Sequence, residues 1–335
     1  MRRFRSLALA LESSCDDSCF SYNTSKLSGF FARIYKLKHK VSLDIYGGVV
    51  PKISSELHVK AFSKLSVLPK LVAYTHGPGI FECLQASKKY IDRNPINSLP
   101  VNHVHAHVVV ALPKPVEYPF LTLIISGGHT IISLCTSPGR YIIMGQTYDD
   151  SFGECYDKVL RGILPNKQST LFYNNIERMY SKSSAHLENH FSLPLNNESP
   201  KSLNFSFCGL KTHYKTILQN GELDECDIVK LFINNMCELV KQKLQSSVVV
   251  LDSSPLKPKF IVVGGGSSAN FLLRQNIGEW FDKELSVYLC DPKFCGDNAH
   301  MIYKAAIYDV TNNCKYITSK KPTVKWGLNE LKADE

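Results

Sequence analysis

Short apolar runs punctuated by glycine turns, with stretches of helical spacing between them, set the pattern of this chain. Leu7–Leu11, Leu71–Tyr74, Phe120–Ile125, Ile131–Cys135 and Phe260–Val263 are dominated by apolar residues and show no polar alternation. That pattern predicts strands buried on both faces. Several runs end in glycine or small polar residues, notably Ser126-Gly127-Gly128 and Gly264-Gly265-Gly266. Between Asp227 and Leu244, Ile228, Leu231, Phe232, Met236, Leu239, Val240 and Leu244 recur at helical spacing, which predicts a core-facing helix. Residues 171–203 are polar with little periodicity and read as a surface insertion. No repeat of solenoid type occurs.

Strand, glycine turn and helix recurring in two halves predict an α/β architecture with two lobes. Ligands in such folds sit at the carboxyl ends of strands, where glycine lets phosphate approach the backbone. Pro113–Tyr118 is the least patterned short stretch near the middle. It divides an N-terminal lobe, 1–115, joined by the C-terminal segment 301–335, from a C-terminal lobe, 116–300, that carries the insertion. A chain of 335 residues is long enough for two such cores.

Composition narrows the classes. Hydrophobic content of 44% and charge of 21% are those of an ordinary globular protein. No apolar run reaches the roughly 18 residues of a membrane span. A net charge of +9 suits a polyanionic partner such as RNA, and equally a basic organellar protein without one. The eleven cysteines are odd in number and scattered, with no Cys-x-x-Cys pair. They argue against a disulfide framework or a thiolate zinc knuckle and for a reducing compartment. Met1–Ser6 is basic and lacks acids, in the manner of a mitochondrial presequence, but it runs straight into the first predicted strand.

The candidate chemistry starts with His103-Val104-His105-Ala106-His107. Histidines four apart share one helix face, so two imidazoles can meet one ion, with Asp297 of Cys295-Gly296-Asp297-Asn298 brought in by the fold. The same spacing is common in solvated surface pairs, and both readings stand at this point. His105 points away from that face and is excluded as a ligand. Gly77-Pro78-Gly79 reads as a tight turn. Gly264–Asn270 follows a strand and opens a helix, a setting for phosphate or ribose contact. It matches neither the Gly-x-Gly-x-x-Gly nor the Gly-Lys-Ser/Thr pattern. Ser126-Gly127-Gly128-His129-Thr130 also follows a strand, and is either a binding turn or a packed one. Asp149 and Asp150 are either an acid/base pair or caps of the helix they precede.

The order of these motifs is far more specific than any one of them. Glu12-Ser13-Ser14-Cys15-Asp16-Asp17, Gly47-Gly48-Val49-Val50-Pro51, Gly77-Pro78-Gly79 and His103-x-x-x-His107 come first. Ser126–Thr130, Asp149-Asp150-x-x-Gly153-Glu154-x-x-Asp157-Lys158, Phe205-Ser206-Phe207-x-Gly209-Leu210-Lys211-Thr212, Gly264–Asn270 and Cys295-x-Asp297-Asn298 follow. The series resembles the TsaD family, the tRNA threonylcarbamoyladenosine synthases once called O-sialoglycoprotein endopeptidases. The likeness runs from about residue 7 to 328. Gly47–Pro51 and the Asp149–Lys158 string look like the bacterial and organellar branch, and Asn102 more like the cytosolic form. A mitochondrial paralogue, working in the matrix, is the expectation.

The resemblance implies an actin-like, Hsp70-like two-lobed fold with a ligand cleft between the lobes. It implies that His103, His107 and Asp297 hold one divalent ion per subunit, iron or zinc. Ser126, Gly127, Gly128, His129, Thr130, Asp157 and Asn270 would contact the adenylate, and Asp16 would serve as proton acceptor or water positioner. The equal alternative for Asp16 is a carboxylate that caps its turn or helps hold the metal through water. The implied reaction moves threonylcarbamoyl from threonylcarbamoyl-AMP to the adenosine 3′ of the anticodon, in tRNAs reading ANN codons. Implied partners are tRNA, threonylcarbamoyl-AMP with the synthase that makes it, and a second copy in a homodimer.

The chain departs from the family pattern after Asp157. Leu164-Pro165-Asn166-Lys167-Gln168-Ser169 stands where the family has a Tyr-Pro-Gly-Gly-Pro-like loop, and loss of two glycines should hinder backbone approach to a ribose. The segments from His58 to Gly77 and from Gly79 to His103 are also shorter than usual. Three rival readings follow. A zincin protease needs glutamate after the first histidine, and Val104 occupies that place. An actin-like small-molecule kinase and a diverged non-catalytic partner of the tRNA-modification machinery remain as alternatives.

Overall fold

The computed structural model describes residues 6–26, 29–37, 49–65, 69–94, 96–164, 169–183, 202–221, 223–281, 285–314, 316 and 321–331. They divide into two compact units. The first comprises Met1–Lys114, Cys135–Ile142 and Cys290–Glu335, and the second Pro115–Leu134 and Ile143–Leu289. Residues 290–300, which the sequence pattern grouped with 116–300, thus belong with the first unit. The reason is packing: Cys290, Cys295, Ala299, Met301 and Ile302 share one buried cluster with Ala10, Ala73, Val101 and Ala106.

In the first unit the central strand is β1 (Ser6–Glu12). It pairs antiparallel with β2 (Ser18–Lys26), which pairs antiparallel with β3 (Gly29–Leu37). On its other side it runs parallel to β4 (Leu71–Gly77), and β4 parallel to the edge strand β5 (Asn97–Asn102). Alternation along β1 splits the core. Leu9 and Leu11 pack with Phe62, Val72 and Tyr74, beside α1 (Pro51–Ser63) and α2 (Phe81–Arg93). Ala10 faces α3 (His103–Ala111) and α10 (Ala299–Thr311) instead. Pro100 sits within β5, where an edge strand tolerates the missing donor. Before α10 comes the short α9 (Pro292–Cys295).

A second sheet, carried by the second unit except for Cys135–Ile142, repeats the strand order. Its central strand β6 (Phe120–Ile125) is followed outward by β7 (Thr130–Ser137) and β8 (Arg140–Gln146) on one side. On the other side it pairs parallel with β9 (Phe260–Gly264), and β9 parallel with β10 (Ser286–Leu289). In both sheets the first strand in chain order is central, flanked by the second and third on one side and the fourth and fifth on the other. This duplicated α/β order is that of the actin-like class expected from the sequence. Helices α4 (Phe152–Ile163), α5 (Ser169–Lys182), α6 (Cys208–Asn220), α7 (Glu225–Asp252) and α8 (Phe271–Ile277) complete the unit.

One expectation fails here. Ser169–Lys182 is helical rather than a loop insertion, because Phe172 and Ile176, four apart, are both buried in the core that includes α7. Residues 184–201 lie outside the described residues. Among the described residues no helix is long and apolar enough to cross a membrane, and all eleven cysteines are free thiols.

Candidate metal centre and nucleotide pocket

The first unit concentrates its charge at the start of α3. Asn102 caps that helix, accepting from the His105 N–H at 2.9 Å, while its own amide donates to the Trp326 carbonyl at 2.9 Å. A residue every 100° then places His103 and His107 together, and their rings meet edge to face with centroids 4.7 Å apart. His107 Nε2 lies 3.2 Å and His103 Nε2 3.6 Å from Asp297 Oδ1. One ligand atom from each of the three residues lies within 4.8 Å of the others. His105 is turned elsewhere, fully buried between Tyr141 Oη at 2.7 Å and Asp309 Oδ1 at 3.0 Å.

Glu12 opens the first of the ordered motifs, but the sequence reading gave it no role. Its buried carboxylate accepts from the Ser14 N–H and the Thr75 hydroxyl, each at 2.6 Å, and lies 3.1 Å from His103 Nδ1. It therefore sets the ring orientation of His103 and leaves Nε2 directed at Asp297. Burial works against a charged His103, but Glu12 and Asp297 outweigh it and raise its pKa to about 9. Burial lowers that of His107. Burial opposes the charge on Asp297 too, but His103 and His107 hold its carboxyl below the usual range. Glu12 is likewise lowered, with His103 prevailing over burial.

These residues fit a divalent ion. Two imidazoles and a carboxylate form a donor set that leaves coordination positions open. His107 turns its Nε2, and not its buried and unpartnered Nδ1, toward Asp297, so Nε2 is the atom it would offer an ion.

Asp16 lies in the turn from β1 to β2, partly exposed. Buried His58 pins this turn, reaching the Cys15 carbonyl at 2.8 Å and the Ser18 hydroxyl at 2.6 Å. A Cβ at Gly79 would lie 2.7 Å from the Ser14 carbonyl, so that position is glycine because it packs on the Asp16 turn, whereas a Cβ at Gly77 would run into the Thr323 carbonyl. The Cys15 thiol is pushed well up by burial and then by the charges of Asp16 and Asp297.

The second unit holds a pocket of about 310 Å³ lined by Gly153, Tyr156, Asp157, Gly266, Asn270 and Phe271 among others. Asn270 caps α8 through Oδ1, accepting from Leu273 N–H at 3.1 Å, which fixes its amide at the pocket wall. Asp157 lines the same wall, held by Arg161 Nε at 2.6 Å. Glu177 of α5 lines it as well and was missed, because it falls in the stretch read as an insertion. Residues 165–168, where the sequence loses the two glycines, lie outside the described residues, as do Gly47 and Gly48.

The Ser126–Thr130 turn adjoins this pocket at Gly153, whose N–H donates to the Ser126 carbonyl at 3.2 Å. Ser126 Oγ accepts from His129 N–H at 2.9 Å and shapes the turn. A Cβ on Gly127 or Gly128 would meet no atom within 4 Å. The protein's own packing does not require glycine there. Thr130 differs: it is buried and its hydroxyl accepts from Phe152 N–H at 2.8 Å, a packing role.

Asp149 and Asp150 do not cap the helix they precede; Ser151 does, accepting from Glu154 N–H. Asp149 instead accepts from Phe207 N–H at 3.0 Å and from Cys208 N–H and the Ser206 hydroxyl, holding the start of α6. Asp150 pairs with Lys158 and Lys211, which hold its carboxyl below the usual range against the effect of burial. Committed this way, neither is an acid/base pair.

With this geometry in view, comparison with known proteins is informative. Residues 34–304 match the family described as tRNA N6-adenosine threonylcarbamoyltransferase. The chain is 29% identical to the protein of that name from Wolbachia pipientis wMel, over 96% of this chain and 98% of that one. It is 32% identical to the one from Ureaplasma urealyticum serovar 10, over 94% and 98%. Among solved structures it is similar to T. kodakarensis HypF, with TM-score 0.50, 11% identity, and coverage of 91% of this chain and 47% of that one. The last likeness speaks to the fold alone.

Proposed function

The chain belongs to the tRNA N6-adenosine threonylcarbamoyltransferase family, and from that premise we propose that it transfers threonylcarbamoyl from threonylcarbamoyl-AMP to the exocyclic amine of the adenosine 3′ of the tRNA anticodon. The observation that carries the chemistry is the convergence of His103, His107 and Asp297 within 4.8 Å, with Glu12 fixing the first histidine. These three residues would hold one divalent ion, iron or zinc. When bound, such an ion polarises a carbonyl and offsets charge beside a phosphate.

The remaining work falls to the chain's own groups. An aromatic amine is a weak nucleophile, so holding both reactants in place counts for more than strong base catalysis. In the second unit, Asn270 and Asp157 would hold the nucleoside of the adenylate, with Glu177 beside them. The Ser126–Thr130 turn would bring backbone N–H groups to its phosphate through Gly127 and Gly128, where no side chain intervenes. In the first unit, Asp16 would accept the proton leaving the attacking amine or place a water that does so. AMP departs with the electron pair of the broken acyl–phosphate bond.

Sites of action and partners complete the proposal. The basic Met1–Ser6 segment and the bacterial type of the sequence support a mitochondrial matrix location, the tRNAs being those that read ANN codons. The synthase that makes threonylcarbamoyl-AMP supplies the donor, and a homodimer is the expected assembly. The test is reconstitution of purified protein with that synthase, threonine, bicarbonate, ATP and unmodified tRNA. Threonylcarbamoyladenosine should appear in the digested tRNA. Its absence with active controls, or ATP turnover on a small acceptor without tRNA, would overturn the reading. Asp16→Asn leaving transfer intact would remove the proton role.

A further inference from the structure

We propose that Lys36 is a positioning residue for the loop that carries Asp297. Cys19 and Lys36 are register partners across β2 and β3. Both reach the same main-chain oxygen: Lys36 Nζ donates to the Asp297 carbonyl at 2.9 Å, and the Cys19 thiol at 3.6 Å. A carbonyl oxygen has two lone pairs, and the hairpin engages both. Lys36 is in turn held by Asp17, whose Oδ2 lies 2.7 Å from Nζ.

The loop is tied at its far side as well. Asn298 donates to the Gly296 carbonyl at 2.8 Å and caps α10 by accepting from Met301 N–H at 2.9 Å. Fixing the peptide on both sides of Asp297 leaves its carboxylate little freedom except toward the histidines. The Lys36 cation also bridges the Asp16–Asp17 turn to the Asp297 loop. Neither the Lys36 position nor Cys19 belongs to the ordered motifs of the sequence.

This role rests on the metal reading above, and the experiment separates the two. Full-length protein is loaded with Co(II), and its visible absorption and its release to a chelator are followed for wild type, Lys36→Met, Lys36→Arg, Asp17→Asn and the double variant Asp17→Asn/Lys36→Met. Supporting residues around ligands typically change metal affinity about ten- to a hundredfold. Lys36→Met should release Co(II) at least about tenfold faster with an altered spectrum, and Lys36→Arg should restore most of both. Asp17→Asn, which leaves the strand untouched and removes only what orients the lysine, should show a smaller loss. The double variant should be no worse than Lys36→Met. Release and spectrum equal to wild type in both Lys36→Met and Asp17→Asn, whatever happens to melting temperature, would overturn the clamp alone. Wild-type protein that takes up no Co(II) would overturn the metal reading and the clamp with it.

Discussion

The two sheets share one strand order, yet the turns that leave their central strands are built on opposite terms. The β1–β2 turn is acidic, carrying Asp16 and Asp17, with Glu12 buried at its base and His58 pinning its backbone. The β6–β7 turn, Ser126–His129, has no acid and exposes two glycines whose Cβ positions face open space. Side chains do the work in the first, where charges are set before any ligand arrives. Backbone and empty space do it in the second. On the function proposed above, one topology would serve a cation-binding centre and an anion-tolerant turn, the difference lying in a handful of residues at equivalent places.

The largest effect expected from breaking this contrast is at the charged turn's partner. His103→Ala should abolish both metal content and transfer, checked by elemental analysis and nucleoside mass spectrometry. Retained activity would refute the metal role. Next come the glycines, which separate the two kinds of turn directly. Gly128→Ala should leave stability within about 0.5 kcal/mol, since its Cβ meets open space, yet raise the KM for threonylcarbamoyl-AMP at least about tenfold. Gly265→Ala is the control: with φ at +90° and a Cβ 2.4 Å from the Ile125 carbonyl, it should cost roughly 2 kcal/mol or more in denaturant melts.

Glu12→Gln ranks third. It keeps the shape but removes the charge that orients His103, and should weaken metal binding about ten- to a hundredfold in chelator competition. The smallest effect is on pH dependence in metal-free protein. His103 is raised to about 9 from 6.5, so its contribution to stability is complete below pH 6.5 and is lost as pH climbs toward 9. His107, held neutral by burial, adds nothing above pH 6.5. Melting temperature should therefore fall between pH 6.5 and 9, and Glu12→Gln should flatten that fall.

The strands that could be read in the sequence are those buried on both faces, such as Leu7–Leu11 and Phe260–Val263. β2 (Ser18–Lys26) was not legible because it is rich in serine and threonine, and β5 because Pro100 interrupts it. Helix α5 hid behind its polar composition, although Phe172, Ile176, Met179 and Tyr180 pack at helical spacing on its inner face. At the site, the i, i+4 histidines and Asp297 were legible through motif order. Glu12 was legible only as the head of its motif, without a role, and Glu177 and Lys36 were not legible at all. A carboxylate at a strand end, an acid in a polar stretch and a lysine on a hairpin acquire meaning only through partners distant in sequence. Asp149 shows the reverse error: local position suggested a cap for α4, while the fold spends it on α6.

The most direct measurement follows one label. Threonylcarbamoyl-AMP carrying isotope in the threonyl group is mixed with excess purified protein and unmodified tRNA, without ATP or the synthase. The account predicts that label enters the adenosine 3′ of the anticodon while AMP is released in equal amount, and that Asp297→Asn does neither. AMP released without label in tRNA, or label transferred equally well by Asp297→Asn, would contradict it.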